Sequence, residues 1–390
     1  MDRLHLFCRK EIDSMRVGID LCGFNAIHAG GKDEVAYNLL RGFEILGHSK
    51  QIVCFCHADL VDIVKEVNKN VEIAVVPKVK LPDRIKAAGR LWDRFFLEKK
   101  IRELGLNVLV FTNKKTPWKK FSVNTIFIPH DIQVFESGKI PGVYWSKSRY
   151  WVLTTFMKLD FYYNDHIVAI SDYDKNAMIQ YMPWAEKKIH RIYNPIRFFD
   201  YPEDKDEKKY ITAINIQWRH KNTETLVDAY AKIADKTHLD LMLVGRKPYE
   251  FEELEKRIKH SGVEDRIHFS GFVTEEEMNR IISKTRIYVN PSYYEGFGMT
   301  AVEMMGRKIP TITSTATAIP EVTNGMCRYY EPVDDPEALA KTLLEELENP
   351  TSEEELASIA QNMRDRYEYI HIAKQYWDFF EQVAAEEVQR

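Results

Sequence analysis

The chain alternates two hydrophobic patterns. Short, β-branched apolar runs read as buried strands; stretches with apolar residues every three or four positions read as helices. In the first half the runs are Met15–Asp20, Gln51–Cys56, Val71–Val76, Asn107–Phe111, Thr125–Ile128, Ile167–Ser171 and Ile189–Tyr193. Between the first two, Asp33 to Leu46 places Val35, Leu39, Leu40, Phe43 and Leu46 on one helical face. Ser171 and Asp172 are placed to cap a helix from Tyr173. Asn194-Pro195 ends the last strand of this half, because proline cannot donate to a ladder.

A charged, apolar-poor stretch, Asp200 to Lys209, then reads as an inter-domain linker. The pattern resumes with Tyr210–Ile214, Leu239–Gly245, Arg266–Gly271, Thr285–Asn290 and Ile309–Thr313, with helices between. Thr274 to Glu277 has the spacing of a capping box. Strands alternating with helices indicate α/β architecture with two doubly wound parallel sheets. The expected domains are residues 1–198 and 199–365. Arg364 to Val388, rich in Tyr, Trp and Phe, is expected as one long helix, with 366–390 packing back on the first domain.

Composition narrows the class. A chain of 390 residues has room for two cores, and 45% hydrophobic with 29% charged residues is ordinary for a globular protein. A net charge of −4 argues against a nucleic-acid binder. The 5 cysteines are scattered, and Cys54-Phe-Cys56 suits a strand better than a zinc site, so a reducing cytoplasm is expected. No apolar run is long enough for a transmembrane helix, and the start lacks a signal-peptide core.

The candidate chemistry centres on Pro291-Ser-Tyr-Tyr-Glu-Gly-Phe-Gly-Met-Thr-Ala-Val-Glu. A buried strand precedes it, Gly296 and Gly298 make a turn, and a helix follows from Met299. That order turns free N–H groups and a positive dipole end toward a ligand. Glu295 lies on the loop and Glu303 in the helix, a cup suited to phosphate and sugar hydroxyls together. Gly30 and Gly31 form a similar loop, read either as a plain turn or as an anion contact; neither nucleotide fingerprint is present. His130 follows a strand, where it either packs and caps or faces a ligand. Arg219 and Lys221 sit at a strand-to-helix junction, where cations can meet a diphosphate. Lys78 to Arg102 carries 9 Lys/Arg against 3 acids, interleaved with Leu91, Trp92, Phe95 and Phe96. Lys114, Lys115, Lys119 and Lys120 lie nearby in sequence. The segment reads either as a solvated helix or as a surface for an anionic membrane.

These short motifs, in this order, resemble the retaining GT-B glycosyltransferases of family 4, also called group 1. The resemblance rests on Pro291-Ser-x-x-Glu-Gly-Phe-Gly with Glu303, then Gly306, Pro310 and Ile319-Pro-Glu321. His220-Lys-Asn222, Val244-Gly245, Gly271-Phe-Val273, Pro129-His-Asp-Ile-Gln133 and Tyr193-Asn-Pro195 fall in the same order. It implies a donor, a UDP-, GDP- or dTDP-sugar, held by the second domain, and a glycan or lipid-linked acceptor held by the first across a central cleft. Glu303 would grip the ribose, Glu295 the sugar hydroxyls, and Gly296, Phe297, Gly298, Met299 and Thr300 would approach sugar and phosphates. Lys221 would neutralise the diphosphate, with Gly245 in the donor site and Phe272 and Val273 flanking the base. Gly30 and Gly31 would close on the phosphates, and His130 would face the sugar. The sequence departs at Asn215 and Ile216, where relatives often carry an arginine; Arg219 is the substitute charge. No Asp-x-Asp between apolar strands suggests a metal site, so neither metal nor cofactor is expected. The implied setting is surface-polysaccharide assembly at the inner membrane face. The alternatives are a nucleotide-sugar epimerase on the same fold and a non-catalytic sugar-nucleotide binder.

Overall fold

The computed structural model describes residues 15–24, 30–78, 89–112, 116–199, 207–247 and 251–388. The expected lead-in through Asp13, the centre of the basic segment with Lys80, Arg84 and Lys86, Lys114 and Lys115, and most of the linker lie outside them. The chain divides into two compact units. The first comprises residues up to Val134, Ser146–Ile196 and Tyr367–Arg390; the second comprises Phe135–Trp145 and Arg197–Arg366.

In the first unit the strands are β1 (Val17–Asp20), β2 (Ile52–Cys56), β3 (Glu72–Val75), β4 (Val108–Phe111), β5 (Asn124–Phe127), β6 (His166–Ala169) and β7 (Ile189–Arg191). They form one sheet, all parallel, in the order β3-β2-β1-β4-β5-β6-β7. Helices α1 (Gly31–Ile45), α2 (Val61–Val67), α3 (Gly89–Leu104), α4 (Lys147–Tyr163) and α5 (Asp172–Tyr181) connect them. β2, β4, β5 and β6 are buried throughout, as parallel strands covered on both faces must be. Ser171 caps α5, accepting from the Asp174 amide at 3.0 Å.

The second unit repeats the plan with six strands: β8 (Tyr210–Ile214), β9 (Asp240–Val244), β10 (Ile267–Gly271), β11 (Thr285–Asn290), β12 (Thr311–Ser314) and β13 (Arg328–Tyr330). Their order is β10-β9-β8-β11-β12-β13, again parallel. Its helices are α6 (Thr223–Ala231), α7 (Phe251–His260), α8 (Glu275–Ser283), α9 (Met299–Gly306), α10 (Ile319–Val322), α11 (Pro336–Glu348) and α12 (Glu353–Tyr367). The capping box at α8 is present: Thr274 Oγ1 accepts from the Glu277 amide, and Glu277 accepts from the Thr274 amide.

Two expectations change. The segment Phe135–Trp145 groups with the second unit, although it lies inside the sequence span read as the first domain. The C-terminal segment is two helices, α12 and α13 (Tyr369–Ala385), broken at Glu368. Glu368 is extended because the chain pairs there with Ile196. The Ile196 amide donates to Tyr367 O at 2.8 Å, and the Tyr369 amide donates to Ile196 O at 2.9 Å. No glycine or proline marks the break.

Beyond it, α13 packs against α1 of the first unit. A Cβ built on Gly42 would lie 2.4 Å from the Ala373 Cβ, so glycine sets the approach of the two helices. Phe43 meets Trp377 and Phe380 with ring centroids 5.8 and 5.9 Å apart, and His48 stacks on Trp377 at 3.8 Å. Asn124 Nδ2 ties the end of the helix to β5 through the carbonyls of Val383 (2.9 Å) and Glu386 (3.0 Å).

Candidate active site

In each sheet the strand order reverses direction between the first and fourth strands, β1 and β4 or β8 and β11. Loops leaving the carboxyl ends of such neighbours part and open a crevice, the usual ligand site of open α/β sheets. Lys221 and Glu295 lie on the two loops at the second of these points, and Gly30 follows β1 at the first, whereas His130 follows β5, one strand beyond it.

In the second unit, the loop after β8 carries Lys221 and the loop after β11 carries Glu295. Lys221 Nζ and Glu295 Oε1 are 2.6 Å apart, with side chains only 17% and 12% exposed. Ser292 Oγ reaches the same carboxylate oxygen at 2.7 Å. Burial alone would raise the Glu295 pKa; the charges of Lys221 and His220 and the hydrogen bonds from Lys221 and Ser292 overcome it and hold the value below its ordinary 4.5. The carboxylate is therefore ionised and acts as an acceptor.

The main chain of Glu295 is fixed from a third loop, after β12. Thr317 adopts φ 51°, rare for a β-branched residue, and Thr317 Oγ1 accepts from the Glu295 amide at 2.9 Å while donating to the Glu295 carbonyl at 2.7 Å. Lys221 is fixed from below by Asn222, which is buried with φ 52° at the head of α6. Its Nδ2 donates to Pro291 O (3.0 Å) and Val333 O (2.7 Å), and its Oδ1 accepts from Thr225 Oγ1 at 2.7 Å.

Gly298 caps α9 with φ 90°, and a Cβ there would come within 3.0 Å of Ile319 Cδ1. The first amides of α9, from Met299 and Thr300, thus belong to a helix N-terminus beside Glu295, where backbone donors have no intrahelical partner. Phe297 is buried beneath the turn. Glu303 lies one turn into α9, half-buried. Tyr288 of β11 is buried and feels the charge of both acids. Burial drives its hydroxyl well above its ordinary pKa, Glu295 and Glu303 add to this, and a hydrogen bond with Thr300 opposes it. The tyrosine is neutral at any physiological pH.

Other expected residues are placed differently. Arg219 Nε donates to Pro141 O at 3.0 Å, so its guanidinium is laid against the Pro141–Gly142 turn. Gly245 adopts φ 125° where a Cβ would press on Gln217 Oε1 at 3.0 Å. Phe272 is 64% exposed, with the Arg246 guanidinium 5.9 Å from its ring centre. Val273 turns inward onto the core around Ile214, Val244 and Tyr288, so the two residues expected to flank a base point to different environments.

In the first unit, Thr112 after β4 links the corresponding loops. Its hydroxyl donates to Asp20 O at 2.7 Å and its carbonyl lies 3.0 Å from His130 Nε2. A carbonyl only accepts, so Nε2 carries a proton and donates to it. His130 itself has φ 64°. Gly30 caps α1, and its amide donates to Asp33 Oδ2 at 2.8 Å. That amide, expected to meet a phosphate, is occupied by the helix's own third residue. Burial raises the Asp33 pKa, and the Gly30 amide opposes this.

Sequence reasoning missed Thr317, Tyr288 and Ser292. Ser292 lay inside the motif and could have been named from it. Thr317 had no signal, because a left-handed threonine is invisible in sequence. Among the described residues no group of three or more His, Cys, Asp or Glu is arranged to hold a metal ion.

These two doubly wound units, each with its polar cluster at the switch point, define a protein of the GT-B fold. Sucrose-phosphate synthase from Thermosynechococcus elongatus superposes with a TM-score of 0.75 at 18% identity, covering 95% of this chain and 99% of that one. Anabaena HepE, solved in complex with UDP and glucose, gives 0.71 at 16% identity over 94% and 99%. Residues 29–198 match Glycosyltransferase Family 4, and residues 207–349 match Glycosyl transferases group 1. The chain belongs to the group 1, family 4 glycosyltransferases. The O-antigen chain mannosyltransferase RfbU of Salmonella typhimurium is 26% identical over 170 residues, 44% of this chain. The match spans about half of that relative, 48% of its length.

Proposed function

We propose that this protein moves a hexose from a nucleoside-diphosphate sugar to a glycan or lipid-linked acceptor, with retention at the anomeric carbon and without a metal ion. The observation that carries the reading is the Lys221–Glu295 pair at the switch point of the second sheet, beside the N-terminus of α9. The family supports glycosyl transfer, the mannosyltransferase relative supports a hexose, and the UDP-bound neighbour supports a nucleotide donor.

In this reading the diphosphate lies over the α9 N-terminus with Lys221 against it. Glu303 takes the ribose hydroxyls, Glu295 the sugar hydroxyls, and Phe272 flanks the base. The bond from the anomeric carbon to the phosphate oxygen breaks, and negative charge builds on the leaving diphosphate. Lys221 and the helix amides stabilise that charge, the part a divalent cation plays elsewhere. The acceptor oxygen attacks from the same face, and its proton passes to the departing phosphate oxygen. Glu295 stays ionised, so it orients the sugar without delivering a proton. His130 and the Gly30–Gly31 loop of the first unit are assigned to the sugar and acceptor side. The acceptor chemistry fits polysaccharide assembly at the inner face of a membrane, with the basic segment 78–102 as a peripheral contact.

The test has two arms. Thermal shift against UDP-, GDP- and dTDP-sugars identifies the donor, since a ligand at about 100 times its Kd adds ~2.7 kcal/mol of stability. Glu295→Ala is then assayed for transfer with that donor. Loss of transfer with the fold intact is expected; near-normal turnover refutes the assignment. Isomerisation of the donor with no acceptor present would replace the reading with an epimerase.

A further inference from the structure

Arg219, expected as a substitute charge at the diphosphate, has a different partner in the structure. Ile140-Pro-Gly-Val143 has the signature of a type II turn. The Val143 amide donates to Ile140 O at 3.2 Å, proline precedes glycine, and Gly142 has φ 75°. The turn's own hydrogen bond uses the Ile140 carbonyl and leaves that of Pro141 for another donor. Pro141 O accepts from Arg219 Nε at 3.0 Å. A β-carbon on Gly142 would overlap Nε, Cζ and Nη2 of Arg219, so the guanidinium fills the space of the missing side chain. Any other residue at 142 displaces it. The turn is seated at its base: Phe135, Glu136, Ser137 and Ile140 are buried, whereas Pro141 and Gly142 are exposed. It is a bracket with an exposed tip, and Arg219 grips the tip.

Arg219 also opens the single 3₁₀ turn Arg219–Lys221, which has no buried residue and no side-chain cap. Within this turn the Lys221 amide donates to Trp218 O at 2.9 Å and the Asn222 amide to Arg219 O at 3.1 Å. Asn222 secures its C-terminal end, and the Tyr293 amide of the motif loop holds its middle, donating to His220 O at 2.8 Å. Arg219 holds its N-terminal end. At about three residues per turn, the side chains of Arg219 and Lys221 leave the backbone about 120° apart. The residue that grips the bracket therefore does not compete with the one that meets Glu295.

We propose that Arg219 is a positioning residue for Lys221. By gripping the Ile140–Val143 turn it fixes the loop whose lysine stabilises the leaving diphosphate, and the segment Phe135–Trp145 becomes a working part of the donor site. The role presupposes Lys221 at the diphosphate, as in the proposed function. Lysine offers one compact charge on a flexible four-carbon stem, so the direction of its backbone decides where that charge falls. A displacement of about 1 Å at such a group costs up to about a hundredfold in rate. The leaving group gains its charge only in the transition state, so the loss falls on kcat and not on the donor KM.

Arg219→Gln and Gly142→Ala break the same contact from its two sides. The first leaves the backbone alone; the second adds a β-carbon at φ 75°. Hydrogen exchange is read first, on the full chain without ligand. Amides of residues 217–222 exchange faster in both variants, and Arg219→Gln keeps the wild-type melting temperature because the residue is exposed. Turnover with the identified donor is read second. Each variant lowers kcat by about ten- to a hundredfold with the donor KM unchanged, and the double variant is no worse than the worse single one. Arg219→Lys does not restore the rate, since an ammonium lacks the planar guanidinium that covers Gly142. Wild-type exchange in both variants overturns the proposal, whatever the donor proves to be. So does a loss of nucleoside-diphosphate affinity in Arg219→Gln that Gly142→Ala does not share, which would return Arg219 to the phosphates directly. Failure of the donor reading shows separately, as a wild-type chain that binds none of UDP, GDP and dTDP.

Discussion

Lys221→Met separates the two opposing effects on Glu295. In the wild type, burial destabilises the carboxylate and Lys221 leads the effects that outweigh it. Removing one partner of a buried pair costs about 3–5 kcal/mol, because the other charge stays behind unpaired. The side chains retain 17% and 12% exposure and Ser292 still donates, so the low end, about 3 kcal/mol, applies. For a domain of this size that corresponds to a melting shift of about 6–12 °C. The pH dependence is the sharper signature. In the wild type Glu295 is depressed, so its contribution is complete above the ordinary value of 4.5 and is lost as pH falls through the lower folded value. In the variant, burial is opposed only by His220 and Ser292, and the folded pKa rises. The folded state then takes up its proton before the unfolded state does, and part of the lost stability returns as pH falls from 7.5 toward 5. Lys221→Met/Glu295→Gln removes the stranded charge and is more stable than the single variant at pH 7.5. Scanning calorimetry at pH 7.5 and 5 reads all three quantities. A deficit identical at both pH values, or a double variant no more stable than the single, refutes the account of the pair.

Asn222→Ala strands two carbonyls, those of Pro291 and Val333, and removes the polar side chain that lets asparagine tolerate φ 52°; it destabilises by about 3–4 kcal/mol in urea unfolding, and Asn222→Gly by about 1 kcal/mol less, because glycine tolerates the angle. Gly42→Ala pushes α13 off α1 and costs about 1–3 kcal/mol, with part recovered by adding Ala373→Gly in the same chain. Acid weakens the first unit through a histidine pair. His190 is depressed to about 4, by burial first and then by His166 and Lys175, and burial depresses His166 too, against Glu386 and Asp165. The unfolded chain protonates first, so stability present above pH 6.5 is lost as pH falls toward 4; the urea midpoint drops between pH 7.5 and 5, and His190→Gln flattens that drop.

The sheet architecture was legible because parallel strands buried on both faces must be apolar runs, and β2, β4 and β6 are such runs. The break at Glu368 was not. Aromatic periodicity runs through it, and what stops the helix is the pairing of its neighbours with Ile196, 172 positions away by the numbering. At the site, Glu295, Lys221 and Gly298 were legible because acid, cation and left-handed glycine each have a recognisable residue type. The αL conformation of Thr317 was not, since a β-branched residue rarely adopts it, and that of Asn222 was announced only by asparagine's general tolerance of the angle. The divergence of Phe272 and Val273 was illegible for a related reason: only the fold decides that one is exposed and the next side chain turns onto the core.

The pairing of Ile196 with the chain on either side of Glu368 makes the second unit an insert. Apart from the short Phe135–Trp145 excursion, the polypeptide leaves the first unit after Ile196 and re-enters it at Tyr367. At that junction the outgoing and returning chains are a hydrogen bond apart. Closing so small a gap takes only a few linker residues and little loop entropy. The first unit is thus a separable module made of two sequence pieces: residues up to Ile196 joined directly to Tyr367 onward carry the whole seven-stranded sheet with α13 in place. A simple truncation after Ile196 does not, because it discards α13 and lays the aromatic face of α1 open to water.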